Sequence, residues 1–186
     1  MKHHPILPKE RILETALHLF HKQGYHATGI NQIISDAGVA KASLYLHYKS
    51  KEELGIEYLN ARQEIWFAQL KLFTDESKKP KKKILAAFDF LNFINEKESF
   101  RGCSFLNMLS EIQSEETRLL ASIQNHKTQL REFFREILPE EKGEHTDIIY
   151  LLFESAMTES QLFKNQWPVE KAKQAVADLF KLKYIK

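Results

Sequence analysis

This sequence has little of several residues that build particular kinds of functional site. It has a single cysteine, Cys103, which excludes an internal disulfide framework. Its six glycines are scattered, so no glycine-rich phosphate-binding loop can be recognised. No apolar run approaches the length of a membrane span, and the first residues lack the apolar stretch of a signal peptide. We therefore expect a soluble, cytoplasmic protein.

Patterns typical of catalytic or metal sites are also missing. His18 and His21 are three residues apart on a predicted helix, a spacing that metal sites use. No carboxylate or cysteine recurs at ligand spacing beside them, so we interpret both as solvent-facing. We expect no metal, no cofactor and no enzymatic activity.

Apolar residues recur at helical spacing along the whole chain, and no strand pattern interrupts them. The hydrophobic fraction is 43%, with thirteen phenylalanines, which is enough for a substantial core. The predicted helices are 9–23, 30–37, 41–48, 51–73, 84–94, 105–112, 119–137, 148–163 and 167–184. Five lysines around Pro80 could bind nucleic acid, but we favour a solvated connector. The predicted fold class is all-α.

The stretch from Ile30 to Leu54 has the layout of a helix-turn-helix. Ile30, Ile33, Ile34 and Ala37 form one apolar stripe, and Gly38 can end that helix in the left-handed conformation. A second short helix follows that is rich in polar and aromatic residues. With the preceding helix, the first fifty residues therefore resemble a three-helix DNA-binding domain.

Capping residues and charge agree with this interpretation. Thr28 is the expected N-cap of the second helix and Ser50 that of the fourth, with Glu52 and Glu53 in its first turn. Residues 1–51 carry a net charge of +4, although the whole chain carries +2. A basic N-terminal segment suits contact with phosphates.

The run from Thr28 to Leu54 resembles the TetR/AcrR family of bacterial transcriptional regulators, and the resemblance covers roughly residues 9–65. The matching residues are Thr28, Ile33, Ala37-Gly38-Val39, Lys41, Ser43-Leu44-Tyr45, His47-Tyr48 and Ser50-Lys51-Glu52-Glu53-Leu54. Gly29 departs from the usual Ser or Thr, so one capping or phosphate contact is in doubt. Ala42 replaces a common glycine, which a helix start tolerates.

The resemblance implies a DNA-binding domain at residues 1–50 and a helical effector-binding and dimerisation domain at 51–186. The residues implied to contact DNA are Thr28, Lys41, Ser43, Leu44, Tyr45, His47 and Lys51. Ser43, Leu44 and Tyr45 would face the major groove, while Lys51 would hold the backbone. For Leu44 and Tyr48, packing within the three-helix core is an equally open alternative.

The remaining helices suggest an effector site and a dimer. Candidate ligand-binding residues are Trp66, Leu70, Phe88, Leu91, Phe105, Met108, Ile112, Phe153 and Met157, which are aromatic or flexible apolar residues. A packed core is the alternative for each one, but the resemblance favours a small, largely apolar effector. The last two helices carry wide apolar faces (148–156 and 169–180), which favour a homodimer over a purely monomeric core.

The predicted function is a homodimeric repressor that is released by a ligand from a pseudo-palindromic operator in double-stranded DNA. Two alternatives stay open, an architectural DNA-binding dimer without an effector and a partner-recruiting protein. Cys103, beside Arg101, is either a redox-active thiol or an incidental buried one.

Overall fold

Helices account for all the regular secondary structure in the computed structural model, which describes residues 7–139 and 143–182. Over those residues the helices are α1 (Pro8–Gln23), α2 (Ile30–Ala37), α3 (Lys41–His47), α4 (Lys51–Thr74), α5 (Pro80–Lys97), α6 (Ser104–Leu109), α7 (Thr117–Ile137), α8 (Gly143–Phe163) and α9 (Trp167–Leu182). The all-α prediction is confirmed. The predicted end of the last helix, at residue 184, lies outside the described residues.

The chain divides into two compact units. Met1–Glu64 and Ser104–Gln124 form the first, and Ile65–Cys103 and Asn125–Lys186 form the second. Helices α4 and α7 therefore each contribute residues to both units. The predicted boundary at residue 50 separates a DNA-binding function from effector binding and dimerisation. It does not describe compactness, and it stays a prediction.

The first unit is built on the packing of α1 against α2 and α3. Ile12, Ala16, Leu19 and Phe20 lie on the buried face of α1, as their helical spacing predicts. The ring of Phe20 contacts Tyr25 and Tyr58, with centroids 5.3 and 5.4 Å apart. These ring contacts join α1 to the α1–α2 turn and to α4.

Of three helix ends predicted from the sequence, the structure confirms two. Gly38 ends α2 in the left-handed conformation (φ 61°, ψ 44°), and the Ser50 hydroxyl accepts a hydrogen bond from the Glu53 N–H at 3.1 Å. The expectation that Thr28 caps α2 is wrong. Its hydroxyl donates to the Gly24 carbonyl at 2.7 Å, and Gly29 occupies the N-cap position without a side-chain hydrogen bond.

The second unit has an aromatic interior, in which α5, α8 and α9 pack together. The Phe153 ring lies 5.2 Å from Phe134, 5.5 Å from Phe88 and 6.2 Å from Trp66, measured between centroids. All three pairs meet edge to face or nearly so, the arrangement that aromatic quadrupoles favour. The thirteen phenylalanines of the sequence thus supply much of this core.

Two helices begin at least four residues earlier than the sequence predicted. Helix α5 begins at Pro80, so Lys81, Lys82 and Lys83 belong to its first turn and not to a connector. Proline fits this first helical position because its missing N–H would have no partner there. Helix α8 begins at Gly143, five residues before the apolar pattern that marked it.

The apolar faces expected to form the dimer are largely used within the second unit. Ile149, Phe153, Val169 and Val176 are fully buried in the single chain. Ile148, which belongs to the expected faces, remains exposed, and so do four further large apolar side chains of α8 and α9, namely Leu151, Leu162, Phe163 and Trp167. A dimer interface on these helices stays a prediction, and apart from Ile148 the exposed side chains available for it are not the expected ones.

No helix within the described ranges is long and apolar enough to cross a membrane. Among the same residues, no group of three or more His, Cys, Asp or Glu side chains is placed to hold a metal ion.

Candidate DNA-binding surface

Helix α3 is anchored on one face and presents the other to solvent. Leu44 and Tyr48 are 0% and 1% exposed and lie one helical turn apart. The Tyr48 hydroxyl donates to the Lys9 carbonyl at 3.4 Å, which ties the end of α3 to the start of α1. The opposite face is therefore outward. Tyr45 is 43% exposed and Leu46 is 78% exposed.

The structure divides the residues predicted to contact DNA into two groups. Lys41 and Tyr45 are exposed on α3, and Ser43 and His47 are half-buried beside them. These four side chains form one accessible surface. Thr28 and Leu44 are fully buried, so these two side chains belong to the interior and could reach DNA only if the domain rearranged.

Sequence reasoning missed Leu46 on this surface. Helical spacing could have revealed its exposure, because Leu46 is two residues from the core position Leu44 and four residues from Ala42. On a helix, a two-residue offset from a buried position points towards the opposite side. An i, i+4 pair of Ala42 and Leu46 therefore shares the exposed face with Lys41 and Tyr45.

Lys51 is positioned by the protein and does not project freely. Its ammonium nitrogen lies 4.4 Å from the centre of the Tyr25 ring, a cation–π contact. Burial lowers the pKa of Lys51, and the nearby carboxylates of Glu111 and Glu116 oppose that shift. The ammonium group of Lys51 is thus held against the turn that joins α1 to α2.

Two glutamates from distant sequence hold the turn between α1 and α2. The His26 backbone N–H donates to the Glu111 carboxylate at 2.6 Å, and the Tyr25 hydroxyl donates to Glu116 at 3.2 Å. Burial, followed by the charge of Glu116, raises the pKa of Tyr25, which keeps the hydroxyl protonated as a donor. A Cβ on Gly24 would lie 2.7 Å from the Glu111 carboxylate, so any larger residue here would displace that carboxylate.

Further contacts of α6 lie next to this turn. The Ser104 hydroxyl accepts a hydrogen bond from Arg62 Nε at 3.0 Å, and its oxygen is 3.4 Å from His21 Nδ1. A small cavity of about 10 Å³, bordered by Phe20 and Met108 among others, lies in the same region. That volume is enough for about one water molecule. The segment from α6 to the start of α7 is thus joined to the three-helix domain by polar contacts.

The candidate effector residues are divided between the two units. Trp66, Leu70, Phe88, Leu91, Phe153 and Met157 belong to the second unit, and all six are buried. Phe105 and Met108 are buried in the first unit, and Ile112 is half-buried there. Every member of the set except Ile112 therefore faces the interior, as an apolar ligand site or a packed core requires.

A polar concavity in the second unit was not predicted from the sequence. It has a volume of about 360 Å³ between α7 and α8, and Lys127, Arg131, Asp147 and Tyr150 contribute to its lining. Arg131 forms a paired hydrogen bond with the Asp147 carboxylate at 2.7 and 2.5 Å, which lowers the pKa of Asp147. Arg131 on α7 and Asp147 on α8 are 16 residues apart in the sequence, so their contact depends on how the two helices pack.

Cys103 lies beneath this region and is buried. The Lys127 ammonium contacts its sulfur at 3.3 Å and the Glu154 carboxylate at 2.5 Å. The thiol predicted to be either redox-active or incidental therefore has a charged neighbour in Lys127. Arg101, the neighbour named from the sequence, is half-buried in the loop before α6.

A buried three-helix support that exposes one face of a short third helix is the arrangement of a helix-turn-helix domain. Residues 12–58 match the sequence model of the family described as "Bacterial regulatory proteins, tetR family". The match covers 47 of the 186 residues, so this helix-turn-helix segment is similar to that family.

Curated relatives match the N-terminal third of the chain. LmrA, an HTH-type transcriptional regulator of Bacillus subtilis, is 49% identical over 57 residues, which are 30% of this chain and 30% of LmrA. QacR, an HTH-type transcriptional regulator of Staphylococcus aureus, is 41% identical over 63 residues, or 34% of each chain. The match spans 38% of a further Bacillus subtilis regulator, YxaF. The chain thus matches only about a third of the length of these relatives.

Solved structures extend the similarity of fold to nearly the whole chain. SCO4454, a TetR-family transcriptional regulator from Streptomyces coelicolor, superposes with a TM-score of 0.86 at 24% identity, covering 96% of this chain and 90% of that one. The reduced form of NemR from Escherichia coli gives a TM-score of 0.77 at 20% identity, covering 92% and 97%. At this level of identity these similarities establish the fold.

Proposed function

We propose that this regulator is a homodimeric repressor that leaves its operator when a small, largely apolar effector binds. The observation that carries the proposal is the orientation of α3. Leu44 and Tyr48 anchor the helix, so that Lys41, Tyr45 and the half-buried Ser43 and His47 form an accessible surface. Lysine, serine, tyrosine and histidine side chains are suited to phosphate and base-edge contacts in the major groove. Because operator DNA is cytoplasmic in bacteria, we place the protein there.

The operator is proposed to be a pseudo-palindrome bound by two copies of the chain. A two-fold dimer presents two reading helices to adjacent major grooves, about one helical turn apart. The exposed apolar side chains of α8 and α9 support such a dimer, because large apolar residues grouped on a surface are typical of interfaces. In this proposal, residues 1–50 form the DNA-binding domain and residues 51–186 the effector-binding and dimerisation domain.

The effector is proposed to act through α4. This helix begins at Lys51, beside the accessible surface, and carries the candidate effector residues Trp66 and Leu70 further along. A ligand can shift the protein between two states only if it binds them with different affinities. Binding that displaces α4 changes the separation of the two reading helices in the dimer, and the affinity for the operator falls.

The DNA-binding part of the proposal is tested with duplexes selected from a random pool by the wild-type protein. Lys41→Ala should weaken binding to the selected duplex and reduce the slope of log affinity against log salt by about 0.9 per lost phosphate contact. Lys71→Ala, which removes an exposed lysine from α4, is the matched control. Failure to enrich any duplex, or equal salt slopes for Lys41→Ala and Lys71→Ala, would contradict the proposed surface.

The effector part is tested by fluorescence. The chain has two tryptophans, so Trp167→Phe leaves Trp66 as the single reporter. A library of small apolar compounds is screened for quenching of Trp66, and each compound that binds is tested for release of the selected duplex. Binding that leaves the duplex affinity unchanged for every compound would argue against release by a ligand at this site.

A further inference from the structure

The outward face of α3 has an apolar part as well as a polar one. Leu46 is 78% exposed, the highest exposure of any large apolar side chain in the described residues. Ala42, one turn earlier, is also exposed on this face. Positions i and i+4 of a helix are neighbours, so the two side chains form one continuous apolar strip. The strip runs beside Lys41 and Tyr45.

Folding does not explain this strip. Leu44 and Tyr48 supply the contacts that hold α3 on the domain, and both are buried. Leu46 gains no such burial, and an exposed leucine leaves its apolar surface in water. The side chain of Leu46 is therefore available to contact a partner that meets the outward face of α3.

The partner that this surface is proposed to contact offers one apolar group. Within the major groove, base edges present hydrogen-bond donors and acceptors, and only thymine adds a methyl group, at C5. Leucine has no donor or acceptor, so it cannot read any of the polar groups. The chemistry of Leu46 is complementary to the thymine methyl.

We infer that Leu46, supported by Ala42, is a specificity-determining residue that selects thymine in each half of the operator through its C5 methyl group. The inference rests on the proposed function, because it requires α3 to enter the major groove. Lys41, Tyr45 and His47 flank the strip and position the helix through polar contacts. Leu46 adds a preference for sequence that these contacts do not supply.

The size of the effect follows from burial of one methyl group. Removing it from a fully buried contact should weaken binding about fourfold. If both halves of a two-fold site are changed together, the two effects combine to about sixteenfold, provided that the half-sites act independently.

The test uses the full-length protein and the duplex that it selects from a random pool. Each thymine of that duplex is replaced in turn by deoxyuridine, which removes the C5 methyl and leaves all hydrogen-bonding groups in place. For the wild-type protein we expect one position per half-site at which this change weakens binding about fourfold. For Leu46→Ala, the same replacement should have no effect at that position. A pool selected by Leu46→Ala should also lose its preference for thymine there.

Leu72→Ala is the matched control, because Leu72 is a comparably exposed leucine (71%) on α4. It should keep the full sensitivity to deoxyuridine. The inference is overturned if the wild-type protein tolerates deoxyuridine at every position, or if Leu46→Ala keeps the same sensitivity. These outcomes leave DNA binding intact and so differ from failure of the proposed function, in which no duplex is selected at all and the inference falls with it.

Discussion

At the scale of single residues, His126 shows how the aromatic core controls ionisation. The side chain is 2% exposed, and its ring lies 5.7 Å from Trp66 and 5.6 Å from Phe67 between centroids. Burial, with a smaller effect from the positive charge of Lys127, lowers the pKa of His126 to about 3. The folded protein therefore holds this histidine neutral over most of the acidic range.

This lowered pKa predicts that His126 makes the protein less stable in acid. The unfolded chain takes up a proton near pH 6.5 and the folded chain does not, so stability is complete above that pH and falls as the pH drops towards 3. Between pH 8 and pH 5 the loss from this group is about 2 kcal/mol. Urea unfolding of wild type and His126→Gln at both pH values measures it. The variant should lose about 2 kcal/mol less than wild type, and equal losses would contradict the assignment.

At the scale of helices and turns, α2 begins without the capping side chain that its position favours. Gly29 is the N-cap, with an extended backbone (φ −83°, ψ 147°), and a Cβ at this residue would meet no atom within 4 Å. Serine adopts this backbone readily, and its hydroxyl can accept a hydrogen bond from the first turn of the helix.

We therefore predict that Gly29→Ser stabilises the protein. The new cap contributes a few tenths of a kcal/mol, and the reduced freedom of the unfolded chain adds about 0.4–1 kcal/mol. Thermal and urea unfolding measure the gain. Gly29→Ala is the control, because it restricts the unfolded chain equally but supplies no hydroxyl. A serine variant no more stable than the alanine variant would show that no cap forms.

In the turn between α1 and α2, by contrast, the backbone of Gly24 favours glycine over any other residue. Its backbone conformation (φ 100°, ψ 164°) is essentially restricted to glycine, and a Cβ would lie 2.7 Å from the Glu111 carboxylate. Gly24→Ala should therefore lower the free energy of unfolding by about 1–3 kcal/mol. The same substitution in a Glu111→Ala background should cost less, since the steric part is relieved. Identical costs in the two backgrounds would leave backbone strain as the whole effect.

At the scale of the whole molecule, the exposed apolar side chains of α8 and α9 bear on assembly. Leu162 is 70% exposed and Phe163 is 54% exposed, and the Phe163 ring lies 5.6 Å from Trp167 between centroids. Grouped apolar surface of this kind is unfavourable in water unless a partner covers it. A second copy of the chain is the partner that the proposed function requires.

We predict that Leu162→Glu weakens the dimer. A carboxylate placed in an apolar interface must lose its hydration without gaining a partner, which is costly. Sedimentation velocity at several protein concentrations should show a monomer where the wild type is dimeric. Operator affinity should fall as well, because two linked reading helices bind more tightly than one.

Leu72→Glu introduces the same charge at an equally exposed leucine of α4 and should leave the dimer intact. A wild-type protein that is monomeric at all concentrations, or a Leu162→Glu variant that dimerises normally, would rule out this interface.

The local features of the fold could be predicted because their causes lie within a few residues of sequence. Helix α2 and its end at Gly38 follow from four apolar residues at helical spacing and a glycine. The cap at Ser50 needs only the Glu53 N–H three residues away. The cap expected at Thr28 failed because α2 begins at Ile30, which places Gly29 at the N-cap position, and the Thr28 hydroxyl donates to the Gly24 carbonyl.

Sequence by itself determined that this chain is all-helical, where its helix-turn-helix lies, and which family that segment is similar to, since spacing and capping are short-range. Only the tertiary structure decided which side of α3 is accessible. Packing against α1 and α2 buries Leu44 and leaves Leu46 exposed. It also decided what holds the α1–α2 turn, because Glu111 and Glu116 are 85 and 91 residues from their partners. Periodicity along one helix carries no information about contacts between residues so far apart, and these depend on how the helices pack.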